Sequence, residues 1–174
     1  MNISWTFPYP SQRMPIFARN VVATSQPLAA QAGLRMLMKG GNAVDAALAA
    51  AIALTVVEPT SNGIGSDAFA LIWSERKLSG LNGSGRSPRA WTYQHFSGLK
   101  EMPLFGWDSV TVPGAVHAWV TLSNKFGTLP FADLFVPAMK YAQKGFHVSP
   151  ITASRWSEAQ VAYQDYPDFC KTFL

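Results

Sequence analysis

Apolar positions between Leu28 and Val57 form two helical patterns of different character. Leu28, Ala32, Leu34, Met36 and Leu37 recur near helical spacing, behind Ser25 and Pro27. A serine can accept from the free N–H groups of a first turn, and proline is pre-set for it, so a helix is predicted to start here. Gly40-Gly41 ends it, because glycine takes the left-handed backbone that a helix C-terminus needs. Asn42 then caps a second helix. Asp45, three residues on, stands where a capping box has its acid and at the positive end of the helix dipole. From Ala46 to Val57 the only polar side chain is Thr55. A helix apolar all round is a buried one, so this segment is predicted to be the central helix of a core. It falls short of the ~20 residues that span a bilayer, and no membrane partner is expected.

The pattern changes on either side of the helix pair. Asn20 to Thr24 (NVVAT) is apolar and β-branched and predicts a short strand. Glu58-Pro59 ends the second helix, since the residue before proline disfavours helical backbone. Thr60 to Asp67 (TSNGIGSD) is a loop of small residues, and Ala68 to Trp73 (AFALIW) is a strand. Lys77 to Gly80 is predicted to turn it back into a partner starting at Leu81, giving an antiparallel hairpin. Asn82 to Pro88 (NGSGRSP) breaks that second strand. Residues 91–110 are mixed and predict loop. Ala115 to Lys125 reads as helix closed by Gly127, and Phe131 to Lys144 as helix kinked or split at Pro137. Ser149-Pro150 starts a last helix to about Tyr163, and Asp165 to Leu174 reads as a tail. Residues 1–19 read as irregular, and 20–174 as one domain or the larger part of one. Strand, two helices, hairpin and further helices in that order predict an α+β layered fold, not alternating βαβ units.

Composition narrows the function classes. Only 14% of the 174 residues are charged while 48% are hydrophobic, which suits a compact core or a piece covered by more chain. The net charge of +4 comes from scattered basic residues such as Arg19, Arg35, Arg76 and Arg155. Nucleic-acid binding wants them clustered, so no nucleic-acid partner is expected. Cys170 is alone, which excludes a disulfide framework and a zinc pattern. The first twenty residues lack the apolar stretch of a signal peptide, so a cytoplasmic location is the expectation.

Few residues suggest chemistry. Gly63 to Ala68 matches a loose GxGxxA, but a helix precedes it and a strand follows, the reverse of the dinucleotide fingerprint. His95, His117 and His147 have no metal-ligand spacing, and His117 within an apolar helix reads as a packed core histidine. Thr60, Ser61, Ser66 and Ser84 lie outside any G-x-S-x-G. No catalytic unit can be assembled, and no metal or other cofactor is implied. Asn82 to Arg86 is the best candidate: its glycines leave room for a ligand to approach the backbone, and arginine grips a carboxylate with two parallel hydrogen bonds. An arginine that caps strand ends or pairs with Asp67 fits those residues as well.

The segment KGGNAVDAALAAAIALTVVEPTSNGIGSDAFALIW resembles the front of the gamma-glutamyltranspeptidase family. TVPGAVHAW and KFGTLPFADLFVPAMKYAQKGFHV resemble later segments of that family in the same order, from about Val21 to Val148. The resemblance implies an N-terminal-nucleophile hydrolase with αββα layers, of which this chain is only an incomplete front portion, part of the large subunit. It implies a precursor that cuts itself, a small subunit as partner, and a threonine nucleophile beyond this chain whose own α-amine acts as base. No catalytic residue then lies in this chain, which alone is expected to be inactive. The transpeptidases place a carboxylate-binding arginine four residues before the proline corresponding to Pro88; Ser84 stands there, and Arg86 lies two residues later. That departure, with Ser66-Asp67 in the glycine-rich loop, resembles the acylase or amidohydrolase branch. Ser84 and Arg86 are therefore the expected substrate-binding residues, for a small amide bearing a carboxylate. A true gamma-glutamyl transferase or hydrolase is the alternative within the enzymes, and a non-catalytic interaction module the alternative outside them.

Overall fold

A computed structural model describes residues 16–173. Most of the irregular segment expected at 1–19 lies outside the described residues, as does Leu174. Helix α1 runs from Pro27 to Met38 and α2 from Ala43 to Val57. The α1 cap is Gln26, whose side chain accepts from the N–H groups of Leu28 and Ala29. The expected cap, Ser25, donates to Glu58 Oε2 instead, tying the start of α1 to the end of α2. Gly40, at φ +87°, ends α1: its N–H bonds the Leu37 carbonyl and that of Gly41 the Met36 carbonyl, both pairs of the Schellman closure.

The capping box at α2 forms as its sequence predicts. Asn42 Oδ1 accepts from Val44 and Asp45, and Asp45 Oδ2 accepts from the Asn42 N–H at 2.9 Å. Asp45 is not at an exposed helix end, however: it is 0% accessible and accepts further bonds from the Thr128 and Leu129 N–H groups. The loop between the two later helices is thereby fixed to the N-terminus of α2.

Helices α4 (Ala115–Phe126) and α5 (Phe131–Lys144) complete the core. Met36 of α1, Leu48, Ile52 and Val57 of α2, Trp119 and Leu122 of α4, and Leu134 and Ala138 of α5 meet there. The alanines of α2 let α1 and α5 approach closely, so the polyalanine pattern does mark the central helix. Its enclosure is incomplete, since Ala43 and Ala47 stay exposed along a groove of about 480 Å³ beneath residues 19–24. Pro137 neither splits nor ends α5; it is buried, and the helix continues through it. His117 lies on the exposed side of α4 and is not a core histidine, because Ala115, Ala118, Trp119 and Leu122 take the buried stripe.

Strands β1 (Ala68–Ser74) and β2 (Lys77–Gly83) pair antiparallel from Ala68↔Gly83 to Ser74↔Lys77. The turn is Glu75-Arg76, two residues earlier than the sequence suggests, with φ of 52° and 61°. Positive φ at both positions is the type I′ pattern that matches strand twist but suits Asn-Gly. Glu75→Asn with Arg76→Gly is expected to stabilise by about 1 kcal/mol by relieving that backbone. A denaturant titration checks this: a midpoint equal to the parent's would mean the left-handed positions cost nothing here.

Ala68, Ala70 and Ile72 turn one face of the hairpin onto the core. Phe69, Leu71 and Trp73 point the other way, 64%, 79% and 69% exposed, so the outer face is apolar and uncovered. Residues 20–24 form no strand, because among the described residues nothing pairs with them. Residues 93–96 form one short helix, α3 (Tyr93–Phe96), and Trp107–Ser109 a 3-10 turn within the region expected as loop. Helix α6 (Pro150–Tyr163) is capped by Ser149, which accepts from the Thr152 N–H. The expected tail folds as α7 (Pro167–Phe173), with Phe169 and Phe173 against Tyr163 and Trp156 of α6. No helix among the described residues is long and apolar enough to cross a membrane.

Candidate functional site

Three backbone segments converge at the open end of the hairpin. The first is the glycine-rich loop after α2. Gly63 and Ser66 close a tight turn: the Gly63 N–H donates to Ser66 Oγ, and both the N–H and the hydroxyl of Ser66 donate to the Gly63 carbonyl. This turn aims the Ser66 carbonyl at α4, where it accepts from the N–H groups of Gly114 and Ala115 at 3.1 and 2.9 Å. Gly114 has no side chain to cap α4, so a distant carbonyl does it. The loop's glycines thus serve a helix cap, and its setting between α2 and β1 is not the strand–loop–helix order a dinucleotide needs.

The second and third segments are 82–86 and 111–114. Asn82 Oδ1 accepts from the Ser84 N–H at 3.0 Å, which turns the chain out of β2. Gly85 then adopts φ +79°, where a Cβ would fall 1.9 Å from the Val112 carbonyl oxygen. A Cβ on Gly114 would fall 2.2 Å from the Gly83 carbonyl oxygen. Only paired glycines let these two stretches lie backbone against backbone. Two bonds then hold them: Val112 N–H to the Arg86 carbonyl at 2.9 Å, and Thr111 Oγ1–H to the Ser84 carbonyl at 3.2 Å.

Both predicted substrate-binding residues stand on this junction. Ser84 is half-buried, and among the described residues its hydroxyl makes only a long contact, 3.4 Å, to the Gly85 carbonyl. Arg86 is fixed by its main chain while its guanidinium is exposed. Among the described residues that guanidinium bonds to nothing; in particular it forms no ion pair with Asp67, the alternative its sequence allowed. A cation held at a rigid backbone with its donors free is chemically able to receive a carboxylate or another planar anion.

The other candidates scatter. Ser61 Oγ accepts from Arg155 Nη1, and Thr60 Oγ1 is enclosed without a partner among the described residues. Cys170 directs its thiol to the Tyr163 and Gln164 carbonyls at the α6–α7 corner. His117 and His147 are exposed and apart, and among the described residues no three metal-ligating side chains come together. One contact was invisible in the sequence: His95 Nε2 lies 2.9 Å from Asp108 Oδ1, joining α3 to the 3-10 turn. Thirteen residues separate the two in a stretch without periodicity, so no spacing rule could pair them.

The family model described as gamma-glutamyltranspeptidase matches residues 29–174. The chain is 43% identical over 137 residues to the glutathione hydrolase-like YwrD proenzyme of Bacillus subtilis (strain 168), covering 77% of this chain and 26% of that protein. Among solved structures it is similar to cephalosporin acylase from Bacillus halodurans, with a TM-score of 0.84 at 51% identity, over 95% of this chain and 32% of that one. Helicobacter pylori gamma-glutamyltranspeptidase gives a TM-score of 0.85 at 30% identity, over 93% of this chain and 48% of that one. The chain thus spans about a quarter of the curated relative, and its fold is the front portion of the N-terminal-nucleophile hydrolase architecture: helices packed on one sheet layer. With the match running through the helix pair, the glycine loop and the Ser84–Arg86 junction alike, the chain belongs to the gamma-glutamyltranspeptidase family.

Proposed function

We propose that this chain is the large-subunit front of a self-processing amidohydrolase acting on a small amide that carries a carboxylate. The observation that carries the reading is Arg86: a guanidinium anchored through its carbonyl to Val112, exposed, and without a counter-charge among the described residues. An anionic substrate group supplies that charge. The nucleophile in this reading is the N-terminal threonine of a small subunit cut from the same precursor. Its hydroxyl adds to the amide carbon while its own α-amine takes the proton; the amine leaves with that proton, and water then releases the acid from the ester. The small subunit is also the partner that the apolar outer face of the hairpin calls for, since Phe69, Leu71 and Trp73 are arranged as the inner face of a sheet sandwich lacking its second layer.

An acylase-type reaction is favoured over glutamyl transfer by the residues of the junction. Ser84 takes the place of the transpeptidases' arginine; identity does not separate the two branches, since the acylase structure is 51% identical and the glutathione hydrolase-like proenzyme 43%. The test is an intact-mass spectrum of the full-length gene product after purification and incubation. Two fragments are expected, the smaller beginning with threonine. A single unsplit mass would overturn the self-processing hydrolase and favour an interaction module.

A further inference from the structure

Residues 87–110 leave the candidate site directly after Arg86 and return to it directly before Thr111. The two ends of this excursion are closed by the bonds that hold the site residues: Val112 N–H to the Arg86 carbonyl, and Thr111 Oγ1–H to the Ser84 carbonyl.

The excursion has an internal frame of its own. Thr92 caps α3 by accepting from the His95 N–H at 3.2 Å. The Phe96 ring meets Trp91 and His95 edge-on, at 5.5 and 4.7 Å between centroids. Across the loop, His95 Nε2 is 2.9 Å from Asp108 Oδ1, which fixes the 3-10 turn against α3. At the far side Phe105 packs edge-on to Tyr163 of α6 at 5.9 Å. This frame holds Trp107, 89% exposed, immediately beside the clasped Asp108. Trp107 lies four residues before Thr111, so it stays within about 14 Å of the site strand by chain length alone. An exposed indole within that chain distance of the strand that holds Arg86 suits a molecule with an anion at one end and an apolar or aromatic group at the other.

We propose that the 87–110 excursion is the specificity element of this enzyme, with Trp107 contacting the apolar end of the amide and His95–Asp108 as the positioning pair that sets it. The assignment rests on the amidohydrolase reading above. The pair touches no substrate; it acts through Trp107.

The test uses the full-length processed protein and two probes that share one carboxylate half: glutaryl p-nitroanilide, with an aromatic amine, and glutaryl methylamide, with a small one. Trp107→Ala, His95→Ala and Asp108→Asn are each expected to raise KM for the anilide about 5–20-fold while kcat stays within about twofold. KM for the methylamide is expected to stay within about twofold of the parent. The His95→Ala/Asp108→Asn double variant should be no worse than either single, and Asp108→Glu should recover part of the loss, since both act through one contact. Equal effects on the two amides, or no effect on either, would overturn the assignment. The Trp107 variant, on an exposed side chain, decides the matter where the pair variants fail to process. A parent that cleaves neither amide overturns the amidohydrolase reading and this one with it; a parent that cleaves both, with Trp107→Ala unchanged, overturns this one alone.

Discussion

Asp45→Ala is expected to destabilise the fold by about 3–4 kcal/mol, the largest effect of any single polar side chain in the core. The carboxylate is fully buried and accepts from three backbone N–H groups: Asn42 at 2.9 Å, Thr128 at 3.1 Å and Leu129 at 3.3 Å. Alanine leaves all three donors without a partner in a space closed to water, and each such orphan costs about 1–3 kcal/mol before relaxation. The neighbouring side chain cannot substitute, because Asn42 Oδ1 already accepts from the Val44 and Asp45 N–H groups. Asp45→Asn is expected to lose less than Asp45→Ala, since its carbonyl oxygen can take the place of Oδ2, which accepts from all three N–H groups, and its amide nitrogen then faces only the Thr128 N–H. Asp45→Glu has no room: a Cβ on Gly41 or Gly127 would lie only 3.0 or 2.9 Å from the carboxylate oxygens. Urea unfolding of the three variants against the parent checks this. A midpoint for Asp45→Ala that matches the parent's would show that the freed N–H groups find other partners.

Asp45 also shows where the sequence stops being informative. Asn42-x-x-Asp45 is a local pattern and predicts the capping box correctly, as Gly40-Gly41 predicts the Schellman closure and Ser149-Pro150 the start of α6. Those contacts span three to five residues, and helix geometry fixes them. The second role of Asp45 spans 83 residues, to Thr128, and no periodicity encodes it. Ser25 fails as a cap for the same reason: its hydroxyl is drawn to Glu58, 33 residues away, and Gln26 takes its place. A strand needs a neighbour as well as a pattern, and among the described residues the β-branched run at 20–24 has none. At the site, Arg86 could be singled out because glycines break the strand around it, and Ser84 because the resemblance sets it where the transpeptidases have an arginine. That those glycines admit the Thr111–Gly114 backbone could not, because glycine announces a close approach without saying of what.

Arg86→Ala in the full-length enzyme is expected to raise KM about 10–100-fold for a carboxylate-bearing amide while kcat changes little. The carboxylate lies apart from the scissile bond in the proposed substrate, so Arg86 grips it equally before and during the reaction. Uniform binding of that kind appears in KM alone. Arg86→Lys should recover only part of the loss, since an ammonium is a point charge without the guanidinium's parallel donors. The fold is expected to tolerate both changes: the bond from the Val112 N–H goes to the Arg86 main chain, and the side chain is exposed. The control is a substrate whose carboxylate is replaced by a carboxamide. Parent and Arg86→Ala should then show the same KM, because the charge that the arginine reads has gone. Ser84→Ala should move KM far less, its hydroxyl being engaged only at 3.4 Å with Gly85. A KM unchanged in Arg86→Ala for the carboxylate substrate would take the guanidinium out of the site and leave residue 86 a purely main-chain part in joining β2 to the Thr111–Gly114 segment.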